Sequence, residues 1–171
     1  MVADSLNQIC NDCPRQCSAN RGLKVGFCNT DNRPLISSIF LHKGEEPVIS
    51  GRKGICNVFF AHCNLQCIYC QNYQISQNDL FDPQWSICLN DAIEQIIEQL
   101  DKGVKLLGFV SPSHQIAQML RIIECLWQKG YKPRIVYNSN GYDSVETLKR
   151  LDGVVDVYLP DFKYFNSDLG K

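Results

Sequence analysis

The stretch Ile55-Cys56-Asn57-Val58-Phe59-Phe60-Ala61-His62-Cys63-Asn64-Leu65-Gln66-Cys67-Ile68-Tyr69-Cys70 decides the fold. Ile55 to Ala61 reads as a strand. It runs straight into a loop whose three cysteines stand at C-x3-C-x2-C spacing. Four thiolates would close every iron of a cubane [4Fe–4S] cluster, whereas three leave one iron open for a small molecule. An open metal position at the end of a strand points to an enzyme rather than to an electron carrier or a structural knot. The plainer alternative is a zinc knuckle with His62 or Cys56 as fourth ligand, although structural zinc sites usually pair short C-x2-C hooks. A thiol redox reading needs a C-x-x-C at a helix start. Cys67 and Cys70 have that spacing, but Cys63 counts against it.

Downstream of the loop, strand and helix patterns alternate. Asn90 to Lys102 reads as a helix capped by Asn90 or Asp91, with Ile93, Ile96, Ile97 and Leu100 on one face. Val104 to Val110 is a buried-type strand. Ser113 to Lys129 is a second helix with Ile116, Met119, Leu120, Ile123 and Leu126 inward. Arg134 to Tyr137 is a strand, Asp143 with Glu146 makes a capping box for a short helix to Leu151, and Val154 to Leu159 is a further strand. Such alternation predicts right-handed βαβ units around a parallel sheet. Four strands and three helices precede Lys171, short of the ~200 residues a closed eight-stranded barrel needs. The expected fold class is therefore α/β: a partial, open (β/α) barrel over residues 51–171, from a chain that reads as cut short at its C-terminus.

Residues 1–50 differ in texture. They are irregular and broken by Gly22, Gly26, Pro34, Gly44 and Pro47, and only Leu35 to Leu41 looks strand-like. Cys10, Cys13, Cys17 and Cys28 form a C-x2-C-x3-C-x10-C set. Four ligands make a closed site, so this segment is expected to be a metal-binding module held by zinc or by a second Fe–S cluster. Cys56, Cys88 and Cys125 read as small buried hydrophobes.

The chain has 171 residues, 44% of them hydrophobic, a net charge of −1 and ten cysteines. Lys and Arg are scattered singly, which gives no basic patch for nucleic acid. No apolar run approaches the ~20 residues of a membrane span. The start, Met1-Val2-Ala3-Asp4-Ser5, lacks a basic n-region and an apolar h-region. Clustered thiols without an export signal read as metal ligands in a cytoplasmic protein.

Ligands of parallel α/β folds bind at the C-terminal strand ends. There the sequence offers His62 and the cysteine loop, then Ser111, Pro112, Ser113 and His114, then Asn138, Ser139, Asn140 and Gly141, and finally Asp161 and Lys163. Thiolates, hydroxyls, amides, a carboxylate and an ammonium suit a zwitterionic ligand that carries a ribose. Plainer readings stand beside this one. His114 could be a helix-start residue, Asn138 to Gly141 a simple turn, Asp161 with Lys163 a surface pair on one strand face, and His42, Glu45 and Glu46 a solvated turn.

The cysteine spacing, with aromatic Tyr69 just before the last ligand, resembles the radical S-adenosylmethionine (SAM) enzymes. The wider run Phe59 to Ser76 carries the likeness further, together with Leu41 to Pro47, Tyr137-Asn138-Ser139-Asn140-Gly141-Tyr142 and Tyr158-Leu159-Pro160-Asp161-Phe162-Lys163-Tyr164. These resemble the homologues of pyruvate formate-lyase activating enzyme called PflX-like proteins. The resemblance implies that Cys63, Cys67 and Cys70 hold the cluster and that SAM binds its open iron. One electron, from a flavodoxin- or ferredoxin-like donor, then cleaves SAM to methionine and a 5′-deoxyadenosyl radical that takes a hydrogen atom from substrate. In activating enzymes that substrate is a glycine of a partner protein. The resemblance also implies that Tyr69 lies beside the adenine. Asn138, Ser139, Asp161 and Lys163 match positions that line the methionine and ribose region, Asn138 and Asp161 being candidates to bind a cation. Many relatives carry Gly-Gly-Glu after the second strand to hold the SAM amine. Here Gly108-Phe109-Val110-Ser111-Pro112-Ser113-His114 stands in its place, so that role falls to Ser111, Ser113 or His114, or goes unfilled. His62 stands where a Gly often precedes the first cysteine, and its side chain is expected to crowd the loop or ligate something. The competing class is a non-catalytic metal-binding fragment whose incomplete barrel turns nothing over.

Overall fold

The computed structural model describes residues 9–44, 47–85, 87–166 and 168. Glu45 and Glu46 of the expected turn, and the tail from residue 169, lie outside them. The parallel strands β4 (Ile55–Phe60), β5 (Leu106–Val110), β6 (Arg134–Ser139) and β7 (Val157–Pro160) follow one another in order, with β3 (Ile36–His42) antiparallel on the outer side of β4. The described strands make an open, mixed five-stranded sheet and no closed barrel. A separate short hairpin pairs β1 (Ile9–Cys10) with β2 (Ala19–Asn20).

The period of two along each strand divides the sheet into two faces. Cys56, Val58 and Phe60 of β4, Leu107 and Phe109 of β5, and Ile135 and Tyr137 of β6 are buried in the main core. There they meet α3 (Leu89–Asp101) and α4 (Ile116–Gln128), through Ala92, Ile93 and Ile96 of the former and Ile116, Met119, Ile122, Ile123 and Leu126 of the latter. Each fully buried Ile or Leu contributes about 1.5–3 kcal/mol of transfer free energy. On the other face Ile55 and Val136 form a smaller cluster with Ile49 from the four-residue helix α1 (Pro47–Ser50). Midway along that face Asn57, 2% exposed, is level with Gly108. A Cβ at position 108 would stand 2.0 Å from Asn57 Oδ1, so only glycine leaves room for the amide.

Several boundaries differ from the sequence expectation, each for a local reason. Helix α3 is capped by Cys88 rather than by Asn90 or Asp91, its Sγ accepting from Asp91 N at 3.4 Å. Cys88 is therefore exposed, not a buried hydrophobe. Cys125 is half-buried against the main core. The helix expected from Ser113 starts at Ile116, because Ser111 (φ 49°) and Gln115 (φ −134°) isolate Pro112–His114 as a 3-10 turn. Ser144, not Asp143, caps α5 (Val145–Arg150), accepting from Thr147 N at 3.2 Å. The Asp143 carboxylate is drawn instead to the hydroxyls of Tyr137, at 2.6 Å, and Ser139. β7 starts at Val157 because residues 151–156 turn, Val154 N donating to Leu151 O at 3.0 Å.

Candidate metal centre

Because β4 to β7 run parallel, their C-terminal ends lie together, and the segments that follow them enclose a cavity of about 400 Å³. Cys63, Cys67 and Cys70 all line it. Tyr69 and Ser111 line it too, as do Asn138, Asn140, Asp161 and Lys163. The cysteine loop leaves β4 through His62 in the left-handed region (φ 65°), as does Gln66 (φ 62°) inside it. That second reversal is tied down by the Gln66 side chain, whose amide donates to Cys63 O at 3.3 Å and to Asn78 Oδ1 at 3.0 Å. Asn78 N returns a bond to Gln66 Oε1 at 3.2 Å, and Asn78 Oδ1 accepts from Cys63 N at 3.0 Å. Beyond the loop, α2 (Tyr73–Ser76) brings Ser76 back against it.

Each of two sulfurs faces a donor. Asn140 Nδ2 donates to Cys63 Sγ at 3.4 Å, and Ser76 Oγ donates to Cys70 Sγ at 3.2 Å. Burial raises the Cys67 thiol pKa, as do the neighbouring Cys63 and Cys70, while Lys163 pulls it down. A metal would remove the thiol protons outright. Among the described residues no group of three or more His, Cys, Asp or Glu side chains is drawn together to the distances of a bound ion. The donor set nevertheless fits an iron–sulfur cluster: three thiols on one wall, N–H and O–H donors to sulfur, and a cavity beside them.

Asp161 and Lys163 follow β7 rather than lying on it. Lys163 Nζ donates to Asp161 Oδ2 at 2.6 Å. Burial works against the Lys163 ammonium, but the hydrogen bond and charge of Asp161 more than offset it, and the pKa rises. Tyr69 is exposed and sits edge-on to Tyr164, with ring centroids 6.1 Å apart; that neighbour's hydrogen bond pushes the Tyr69 phenol up to about 12.

The other expected residues stand behind this wall. Ser113 is buried, donating to Asn140 Oδ1 at 3.3 Å and accepting from Tyr137 at 3.4 Å. His114 is buried with Nε2 2.8 Å from Ala61 O, and desolvation lowers its pKa to about 4. Ser139 donates to Asp143. His62, by contrast, also lines the cavity, and both of its ring nitrogens face backbone carbonyls: Nδ1 lies 3.1 Å from those of Cys28 and Asn29, and Nε2 lies 2.8 Å from that of Leu80. Cys56 is enclosed in the main core at the opposite end of β4, and burial pushes its thiol up to about 12. Cys56 therefore stands apart from the loop and is not placed to complete a knuckle with it. Sequence reasoning overlooked Asn64, Gln66, Ser76 and Asn78; the amides inside the cysteine run were the available signal.

Residues 49–165 match the family described as a 4Fe-4S single cluster domain. An uncharacterized protein of Methanocaldococcus jannaschii is 35% identical over 173 residues, covering 99% of this chain and 50% of that protein. The chain thus spans about half the length of this curated relative. No solved structure matches it. The match covers more than half of the chain and contains all three cysteines of the loop, so the chain belongs to the 4Fe-4S single cluster domain family.

Proposed function

We propose that the chain is a radical SAM enzyme of partial-barrel type, related to the activating enzymes of glycyl-radical proteins. The observation that carries this reading is the shared cavity: the three thiols, the Asp161–Lys163 pair and the amides of Asn138 and Asn140 line one space. Cys63, Cys67 and Cys70 would hold the [4Fe–4S] cluster and leave one iron for SAM. The bound pair supplies one-electron cleavage of the sulfonium and removal of a hydrogen atom from substrate. The chain's own residues bind and orient. Asp161 and Lys163 offer opposite charges to the amine and carboxylate of a methionine moiety, Asn138 and Ser111 offer hydrogen bonds to hydroxyls, and Tyr69 offers an aromatic face at the rim. The reading includes a flavodoxin- or ferredoxin-like electron donor, a protein substrate, a cytoplasmic setting and no nucleic-acid partner. No helix among the described residues is long and apolar enough to cross a membrane.

The test is anaerobic reconstitution with iron and sulfide, followed by reductant and SAM. The expected results are a brown chromophore and 5′-deoxyadenosine. A chromophore without 5′-deoxyadenosine supports the non-catalytic alternative, and the absence of both removes the cluster reading as well.

A further inference from the structure

We infer that Cys10, Cys13, Cys17 and Cys28 form a tetrathiolate site for a single divalent ion of the zinc type, separate from the cluster loop. All four line one cavity with Arg15, Arg21 and Asn64. The local chain is shaped for this. The β1–β2 hairpin sets Cys10 opposite Ala19 and so returns it to the Cys17 end of the loop. Gln16 (φ 44°) closes a turn on Cys13 O at 3.0 Å, and Asn29 (φ 50°) closes another on Gly26 O at 3.0 Å, one on each side of the site. Phe27 N donates to Cys17 Sγ at 3.5 Å. Gly26 leaves the space that Cys17 fills, since a Cβ there would lie 3.3 Å from its sulfur.

Size favours a lone ion. The cavity the four thiols line holds about 10 Å³, room for one water-sized body. A single ion needs less rearrangement of this segment than the eight iron and sulfur atoms of a cubane would. Charge agrees. Four thiolates around a divalent ion carry two net negative charges, and the two guanidiniums stay protonated. Arg21 Nη2 is 3.6 Å from Cys28 Sγ, and Arg21 Nε is buried with no partner. The single cluster of the family falls within residues 49–165, outside this set. All four cysteines are free thiols, and they stand apart rather than at ligand distances. Such sites commonly close only on the ion.

Asn64 joins the two centres. It lines the cavity of the four cysteines beside Cys13, its carbonyl accepts from Arg15 Nε at 2.5 Å, and its Oδ1 accepts from Asn140 Nδ2 at 2.7 Å. The ion therefore braces the loop that carries Cys63.

The test uses the full chain with the loop cysteines replaced (C63A/C67A/C70A), purified without oxygen and titrated with zinc or cobalt alone. Expected are about one zinc per chain and, with cobalt, the visible bands of a tetrahedral tetrathiolate ion, both lost in the same chain carrying C13S/C17S as well. If that variant precipitates, C13S alone decides: the thiolate-to-cobalt charge-transfer intensity falls by about a quarter, one ligand in four. Bound iron with sulfide in place of zinc, absence of metal, or a cobalt spectrum unchanged by C13S overturns the assignment. None of these readouts depends on SAM or on the cluster loop.

Discussion

Asn140 Nδ2 donates to Cys63 Sγ at 3.4 Å while also donating to Asn64 Oδ1 at 2.7 Å. One amide from the end of β6 thus holds both the first cysteine of the loop and the residue after it. Its Oδ1 is satisfied in turn by Ser113 Oγ and Tyr142 N, at 3.3 and 3.0 Å. N–H donors to ligand sulfur stabilise the reduced cluster. The variant N140A is expected to lower the cluster's reduction potential and to weaken cluster retention ~10–100-fold. Potentiometric titration followed by electron paramagnetic resonance reads the first effect, and iron release to a chelator the second.

Gln66 and Asn78 brace the loop from the other side through reciprocal side-chain bonds. Q66A leaves Asn78 N without its acceptor and Cys63 O without its donor, at about 1–3 kcal/mol for each group kept from water, while Asn78 Oδ1 keeps Cys63 N. Iron release should quicken while the secondary structure seen by circular dichroism stays unchanged. A rate equal to that of the parent would show that the brace is not needed.

These side-chain bridges explain what the sequence did and did not reveal. The elements were legible because periodicity is local: Ile93 and Ile96 on α3, and Val58 and Phe60 on β4, announce their burial within a few residues. The cysteine loop was legible because its spacing is compact. The contact between Asn140 and Cys63, 77 positions apart, leaves no local trace. The direction of β3 was equally hidden, since alternation marks a strand but not its partner. The caps failed for a related reason: Cys88 is not a residue type that announces a helix start, and Asp143, which is, had a tertiary claim from Tyr137.

Gly108 and Asn57 should behave as a coupled pair. A methyl at 108 meets Asn57 Oδ1 at 2.0 Å and Ile55 Cδ1 at 2.9 Å. G108A is expected to cost about 1–3 kcal/mol. A double-mutant cycle with N57A should recover part of that loss; simple additivity would rule out the contact as the cause.

His114 predicts a pH dependence. Desolvation lowers its folded pKa from 6.5 to about 4, so between those values the unfolded chain binds the extra proton. Stability from this residue is fully present above pH 6.5 and is lost as pH falls toward 4, by on the order of 3 kcal/mol. Denaturant unfolding of the anaerobic holoprotein at pH 7 and pH 5 should show the loss, and H114Q should flatten it.

The proposed function depends on three cysteines holding a four-iron cluster with one iron left for SAM. The direct measurement is the electron paramagnetic resonance spectrum of the reduced, reconstituted protein with and without SAM. The expected result is a cluster signal whose shape changes when SAM is added and that is absent in C63A/C67A/C70A. A signal that SAM leaves unchanged, or one that survives loss of the three cysteines, would contradict it.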